Sequence, residues 1–144
     1  MAPHAEVAIF QAMAAPRLEI KLADATSLGG DVWRVRVGVA NTGWLPTTVS
    51  QHARSKNIVL PATVEIAHAS SASGVVTLVE GEARVRIGQL DGRSKHLLDG
   101  GAMSDGTPDR HLHTWLVRAT SGTTFTITAS HQRAGTVSTS VTLR

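Results

Sequence analysis

The chain has 144 residues, 14 Lys or Arg against 11 Asp or Glu, a formal net charge of +3 at pH 7, 42% hydrophobic residues and no cysteine. That length suits one domain able to bury roughly 70% of its unfolded surface, and the missing cysteines exclude disulfides, thiol catalysis and cysteine-ligated zinc. The basic surplus is scattered, and three Trp, two Phe and no Tyr do not make the clustered stripe and stacking platform of a nucleic-acid binder.

Residues 5–15 are alanine-rich, with Val7, Phe10 and Met13 or Ala14 spaced for one helical face, and Pro16 closes that short helix. Everything after it reads as β. Leu18, Ile20 and Leu22 alternate with Arg17, Glu19 and Lys21, the period of a half-buried strand. A Gly29-Gly30-Asp31 turn leads to Trp33, Val35, Val37 and Val39, which alternate with Arg34 and Arg36. Val64 and Ile66 flank Glu65, and the runs GVVTLVEG and ARVRIGQL suggest a hairpin around Glu80-Gly81. Trp115 and Val117, then Phe125 and Ile127, then Val137 and Val141 continue the pattern, with Arg133-Ala134-Gly135 as the last hairpin turn. About eight strands at this spacing predict an all-β fold, an antiparallel β-sandwich of immunoglobulin or fibronectin type, with a short N-terminal helix. The division expected is a helical linker segment over 1–15 and the sandwich over 16–144. The arginines at 34, 36, 84 and 86 read as a solvated face, paired across strands with Glu19 or Glu65.

Two stretches do not read as strands, 44–61 and 91–110, and long loops in a compact domain usually bind or cover something. The first begins Asn41-Thr42-Gly43-Trp44-Leu45-Pro46. Asn and Gly end the strand in a tight turn, but a loop that carries Trp44, Leu45 and Pro46 must pack against something, within the chain or outside it.

Catalytic motifs are mostly missing. No two of the 13 glycines are separated by a single residue, so phosphate-cradling Gly-x-Gly is absent, as is the Gly-x-Ser-x-Gly elbow. No histidine is followed by Glu three residues on; the nearest approach is His96-Leu97-Leu98-Asp99. His111 and His113, two apart on a strand, would point to one face and make a weak metal candidate, with His131 or Asp109 as the third ligand. No apolar run approaches the roughly 20 residues of a membrane span, and the first residues lack the basic start of a signal peptide. A soluble chain without a membrane partner is the expectation.

The runs APRLEI, WRVRVGVANTGWLPTTVS, VEI, IGQLDGRS and HQRAGTVSTSVTL together resemble the C-terminal region of large bacterial zinc carboxypeptidases of the carboxypeptidase A-like class. NTGWLPT and GQLDGR are the most specific parts, and the resemblance spans nearly the whole chain. In that family an N-terminal catalytic domain carries the zinc and a β-sandwich follows it. The family's His-x-x-Glu pair, later His and Glu base match no position here. The resemblance therefore implies a non-catalytic accessory domain, with no cofactor of its own and zinc in the parent catalytic domain, which would be its partner. Trp44, Leu45 and Pro46 would then form an interface with that domain or with the joining helix. The alternative is a carbohydrate- or cell-wall-binding module that uses the loops 44–61 and 91–110, although three tryptophans and no tyrosine give little aromatic platform.

Overall fold

The structure, a computed structural model, describes residues 3–70, 75–93 and 108–144. His96 to Asp99 and most of the 91–110 loop lie outside the described residues. In chain order the elements are α1 (Pro3–Ala14), β1 (Leu18–Gly29), β2 (Val32–Asn41), α2 (Gln51–Ser55), β3 (Ala62–Ser70), β4 (Thr77–Glu80), β5 (Arg84–Gly88), β6 (Arg110–Arg118), β7 (Thr124–His131) and β8 (Gly135–Thr142). The strands form two four-stranded antiparallel sheets, ordered β1-β2-β6-β4 and β5-β3-β7-β8. This is the expected β-sandwich with a short N-terminal helix. Among the described residues, no helix is long and apolar enough to cross a membrane.

The alternation that predicted the strands also fills the core. Trp33, Val35, Val37, Val64, Trp115, Val117, Phe125 and Ile127 are all buried between the sheets. Both core indoles keep a hydrogen-bond partner, since Trp33 Nε1 donates to the Ala119 carbonyl at 3.0 Å and Trp115 Nε1 to the Glu82 carbonyl at 2.9 Å. A tryptophan can lie this deep only when its N–H is satisfied. β1 also begins by donating from Leu18 N–H to the Ala134 carbonyl at 3.0 Å, which ties the first sheet to the final hairpin.

Three expectations need correction. The Glu80-Gly81 hairpin does not form, because β4 pairs with β6 in one sheet and β5 with β3 in the other. The turn carries the chain between sheets, and the Trp115 indole pins it at Glu82. Second, Leu22 does not join the inward row of Leu18 and Ile20. A bulge between Ile20 and Leu22 shifts the register, turns Leu22 out over Gly38 and lets Ala23 and Ala25 pack on the core instead. Third, Arg36 pairs with neither Glu19 nor Glu65. It holds Asp24 of β1 in a two-pronged contact at 3.0 and 2.6 Å, and that guanidinium keeps the Asp24 carboxyl below its ordinary pKa.

Candidate functional site

Where β2 ends, the residues after it fold back and fasten the end of the sandwich. The centre is Asn41, 3% exposed. Its Oδ1 accepts from the N–H groups of Arg17 at 2.9 Å and Gly43 at 3.0 Å, and its Nδ2 donates to the Leu45 carbonyl at 2.9 Å. Backbone bonds surround it: Thr42 N–H to Arg17 O at 2.8 Å, Leu45 N–H to Ala14 O at 3.0 Å, Arg93 N–H to Gly43 O at 2.9 Å and Asn41 N–H to Asp109 O at 2.9 Å. Four distant parts of the chain meet around this residue, one of them held directly by its side chain. They approach so closely that a Cβ on Gly43 would lie 2.2 Å from the Ala15 carbonyl, and one on Gly92 2.3 Å from that of Trp44. Only glycine fits at either place.

Thr47 completes the fastening. Its hydroxyl donates to Gln89 Oε1 at 2.7 Å and accepts from Leu90 N–H at 2.9 Å, while its own N–H reaches the Leu90 carbonyl at 2.9 Å. Beyond it, the Pro46–Val49 turn holds Val49 at φ 67°, a strained setting for a β-branched residue. Ser50 then caps α2, accepting from Ala53 N–H at 3.2 Å.

Beside this junction a groove of about 850 Å³ opens on the outer surface of the first sheet. Gly38 and Ala40 of β2 contribute its small residues. Leu22, Trp44 and Leu112 give it apolar walls, and Lys21, Arg93 and the Arg110–Asp109 ion pair a charged rim. Of the expected interface residues, Trp44 is 42% exposed, while Leu45 and Pro46 are half-buried against the junction. The helix that leaves the same junction is exposed as well: Val7, Ile9, Phe10 and Met13 are between 54% and 78% exposed. A helix of 12 residues is marginal alone in water and draws its stability from whatever covers its apolar side.

His111 and His113 do share a face, their rings nearly parallel with centroids 6.2 Å apart, and His113 sits edge-on to Trp115 at 4.6 Å. The suggested third ligands do not join them. His131 uses Nδ1 to accept from the N–H groups of Arg133 and Ala134 at 3.1 and 3.2 Å, and Asp109 is paired with Arg110. Among the described residues no group of three metal-ligating side chains forms.

Burial lowers the pKa of His113, with the neighbouring His111 adding to the effect. Burial also lowers that of His131, partly offset by the Leu60 backbone. A histidine kept neutral in the fold takes up its proton more readily when unfolded. Stability is therefore full above an unfolded histidine pKa of about 6.5 and declines as the pH falls below it, until the folded-state pKa is passed. Thermal melts at pH 7.5 and pH 5 should show a lower midpoint at pH 5, and His113→Gln should shrink that difference. An unchanged difference would remove His113 as a source.

Sequence reasoning found Trp44 and the strand end at Asn41 but missed the partners that complete the junction. Gly92, within the quoted GQLDGR run, and the Ser50 cap ahead of Gln51-His52-Ala53 were the available signals. A family model described as "Domain of unknown function (DUF8731)" matches residues 17–142, a range that runs from the junction to the last residue of β8 and leaves α1 outside. No curated protein and no solved structure matches the chain.

Proposed function

We propose that this chain, which belongs to the family described as a domain of unknown function (DUF8731), is a non-catalytic accessory domain of a zinc carboxypeptidase. It docks on the catalytic domain through α1 and the Trp44 groove. The observation that carries the reading is the pair of apolar surfaces leaving one junction, the outer side of α1 and the walls at Leu22, Trp44 and Leu112. Apolar surface of this kind, rimmed by polar groups, is the usual mark of a protein contact. The Leu45-to-Ala14 and Thr42-to-Arg17 bonds fix the direction in which the helix leaves, so a neighbour joined to it would be held at a set angle. The NTGWLPT and GQLDGR runs that carry the carboxypeptidase resemblance are the two segments that interlock here. Zinc belongs to the catalytic partner in this reading. An aromatic sugar-binding platform is disfavoured because Trp33 and Trp115 are core residues, which leaves Trp44 as the one tryptophan at the surface.

Hydrogen exchange of residues 3–14 and 44–46 tests the reading, comparing this chain alone with the full product of its gene. Protection in the longer protein is expected. Equal exchange, or a gene encoding no His-x-x-Glu zinc domain, would overturn the proposal. In the chain alone, Trp44→Ala should cost only about 1–2 kcal/mol, the packing of a half-covered side chain. A loss of about 3–5 kcal/mol in a urea melt, the range for an emptied core aromatic, would make Trp44 an internal plug instead.

A further inference from the structure

The outer face of the second sheet carries a second groove, of about 650 Å³, whose lining includes Arg84 and Arg86 and not one carboxylate. The strand register arranges it. Arg86, Thr63, Ser130 and Thr136 are successive partners across β5, β3, β7 and β8, and the partnered Val64 and Val85 of the next position face the core. One guanidinium and three hydroxyls therefore form a row across the whole sheet, at strand spacings of about 4.8 Å. Thr63 and Ser130 share a hydrogen bond of 2.9 Å, which uses one hydroxyl hydrogen and leaves the other to donate. Beside the row, just past the end of β7, Gln132 Oε1 accepts from Leu60 N–H at 3.2 Å, which leaves its amide nitrogen as a further donor. Arg84 lies one row over, opposite Glu65, and neither Arg84 nor Arg86 makes an ion pair among the described residues. The hydroxyl pairs Thr128–Ser138 and Thr124–Thr142, each 2.9 Å apart, extend the same polar surface along the sheet.

We propose that this row binds an oxyanion, the phosphate or sulfate group of a hydroxyl-rich ligand. Arg86 and Arg84 would take the charged oxygens, and Gln132 with the Thr63–Ser130 pair would meet the neighbouring ones. Guanidinium forks match such oxygens in geometry as well as charge, and a donor-rich row with no carboxylate among its own residues favours anions over neutral or cationic ligands; the nearest acidic position, Glu65 opposite Arg84, lies in the next row. The carrier would lie along the Thr and Ser rows by hydrogen bonding, with no aromatic stacking needed. This inference is independent of the docking role, which uses the opposite sheet.

The experiment is an NMR titration of the isotopically labelled chain at low salt with inorganic phosphate, dextran sulfate and neutral dextran. Amide shifts are expected at Thr63, Arg86, Ser130, Gln132 and Thr136 with the anions and not with neutral dextran. The double variant R84Q/R86Q should weaken dextran sulfate binding about tenfold or more. The control R34Q/R118Q, which removes the same charge from exposed positions on the other sheet, should change it less than about twofold. Shifts with phosphate, but no tighter binding of dextran sulfate, would assign the site to a small free oxyanion. Much tighter polymer binding, with shifts reaching Thr128 and Ser138, would assign it to an ester on a chain; either result keeps the oxyanion row. Equal losses in the two double variants, shifts confined to other surfaces, or no response to either anion would overturn it.

Discussion

Replacing Trp115 by alanine should lower the unfolding free energy by about 3–5 kcal/mol, a large part of the 5–15 kcal/mol typical of a whole domain. Trp115 is wholly buried on β6, which has β2 on one side and β4 on the other. It pairs with Val35 across the ladder and takes the edge-on ring of His113 at 4.6 Å. Its indole N–H also pins the Glu82 carbonyl in the turn that carries the chain between sheets. The alanine variant therefore leaves a cavity and frees that crossover at once. Trp115→Phe separates the two effects, because it keeps most of the ring but loses the N–H. It should cost about 0.5–1.5 kcal/mol more than a simple volume change, the usual worth of a hydrogen bond. Urea denaturation of the three proteins measures both; a loss below about 1.5 kcal/mol for Trp115→Ala would show that the indole is not a core element.

Asn41→Ala should be nearly as damaging, about 2–4 kcal/mol, although it removes very little apolar volume. The mutation strips three hydrogen bonds and leaves the partners at Arg17, Gly43 and Leu45 to find others in a crowded place. An abandoned buried donor or acceptor costs about 1–3 kcal/mol, more than an average bond contributes. Asn41→Asp is the informative companion. A carboxylate can still accept from Arg17 and Gly43 but sets negative charge against the Leu45 carbonyl, so it should fall between wild type and alanine. Amide exchange at Arg17 and Gly43, whose N–H groups lose their acceptor, should rise together in the alanine variant. If the stability loss stays below about 1 kcal/mol, the four chain segments meet there without depending on Asn41.

The core was legible because period-2 alternation says which residues face inward, and Trp33, Val35, Val37, Trp115 and Val117 behave as that period demands. The same period says nothing about which strand pairs with which. The segments before and after Gly81 therefore read as a hairpin when they belong to different sheets. Leu22 was placed by continuing an alternation that a bulge interrupts, and the bulge is fixed by the facing strand at Gly38. Asn41 and Gly43 read as turn residues, which is correct locally. Their larger role depends on Ala15, Arg17, Gly92 and Asp109, brought together only by the fold. The paired histidines show the opposite limit: spacing put His111 and His113 on one face correctly, but a metal site needs a third ligand, and His131 is engaged with its own turn.

Among the described strands, every connection apart from the hairpins β1–β2 and β7–β8 passes from one sheet to the other. β2 can pair with β1 as soon as both are made, but its other edge waits for β6, roughly 70 residues downstream. At the usual 5–20 residues per second of synthesis, that wait is about 4–14 s. A β1–β2 ribbon formed in that interval would be marginal on its own and would show Trp33, Val35, Val37 and Val39 on one side and an open row of amides along the β2 edge, the kind of surface that recruits foreign strands. Biogenesis, more than the finished fold, is then the stage at which this protein is most exposed to aggregation, and slower translation lengthens that exposure.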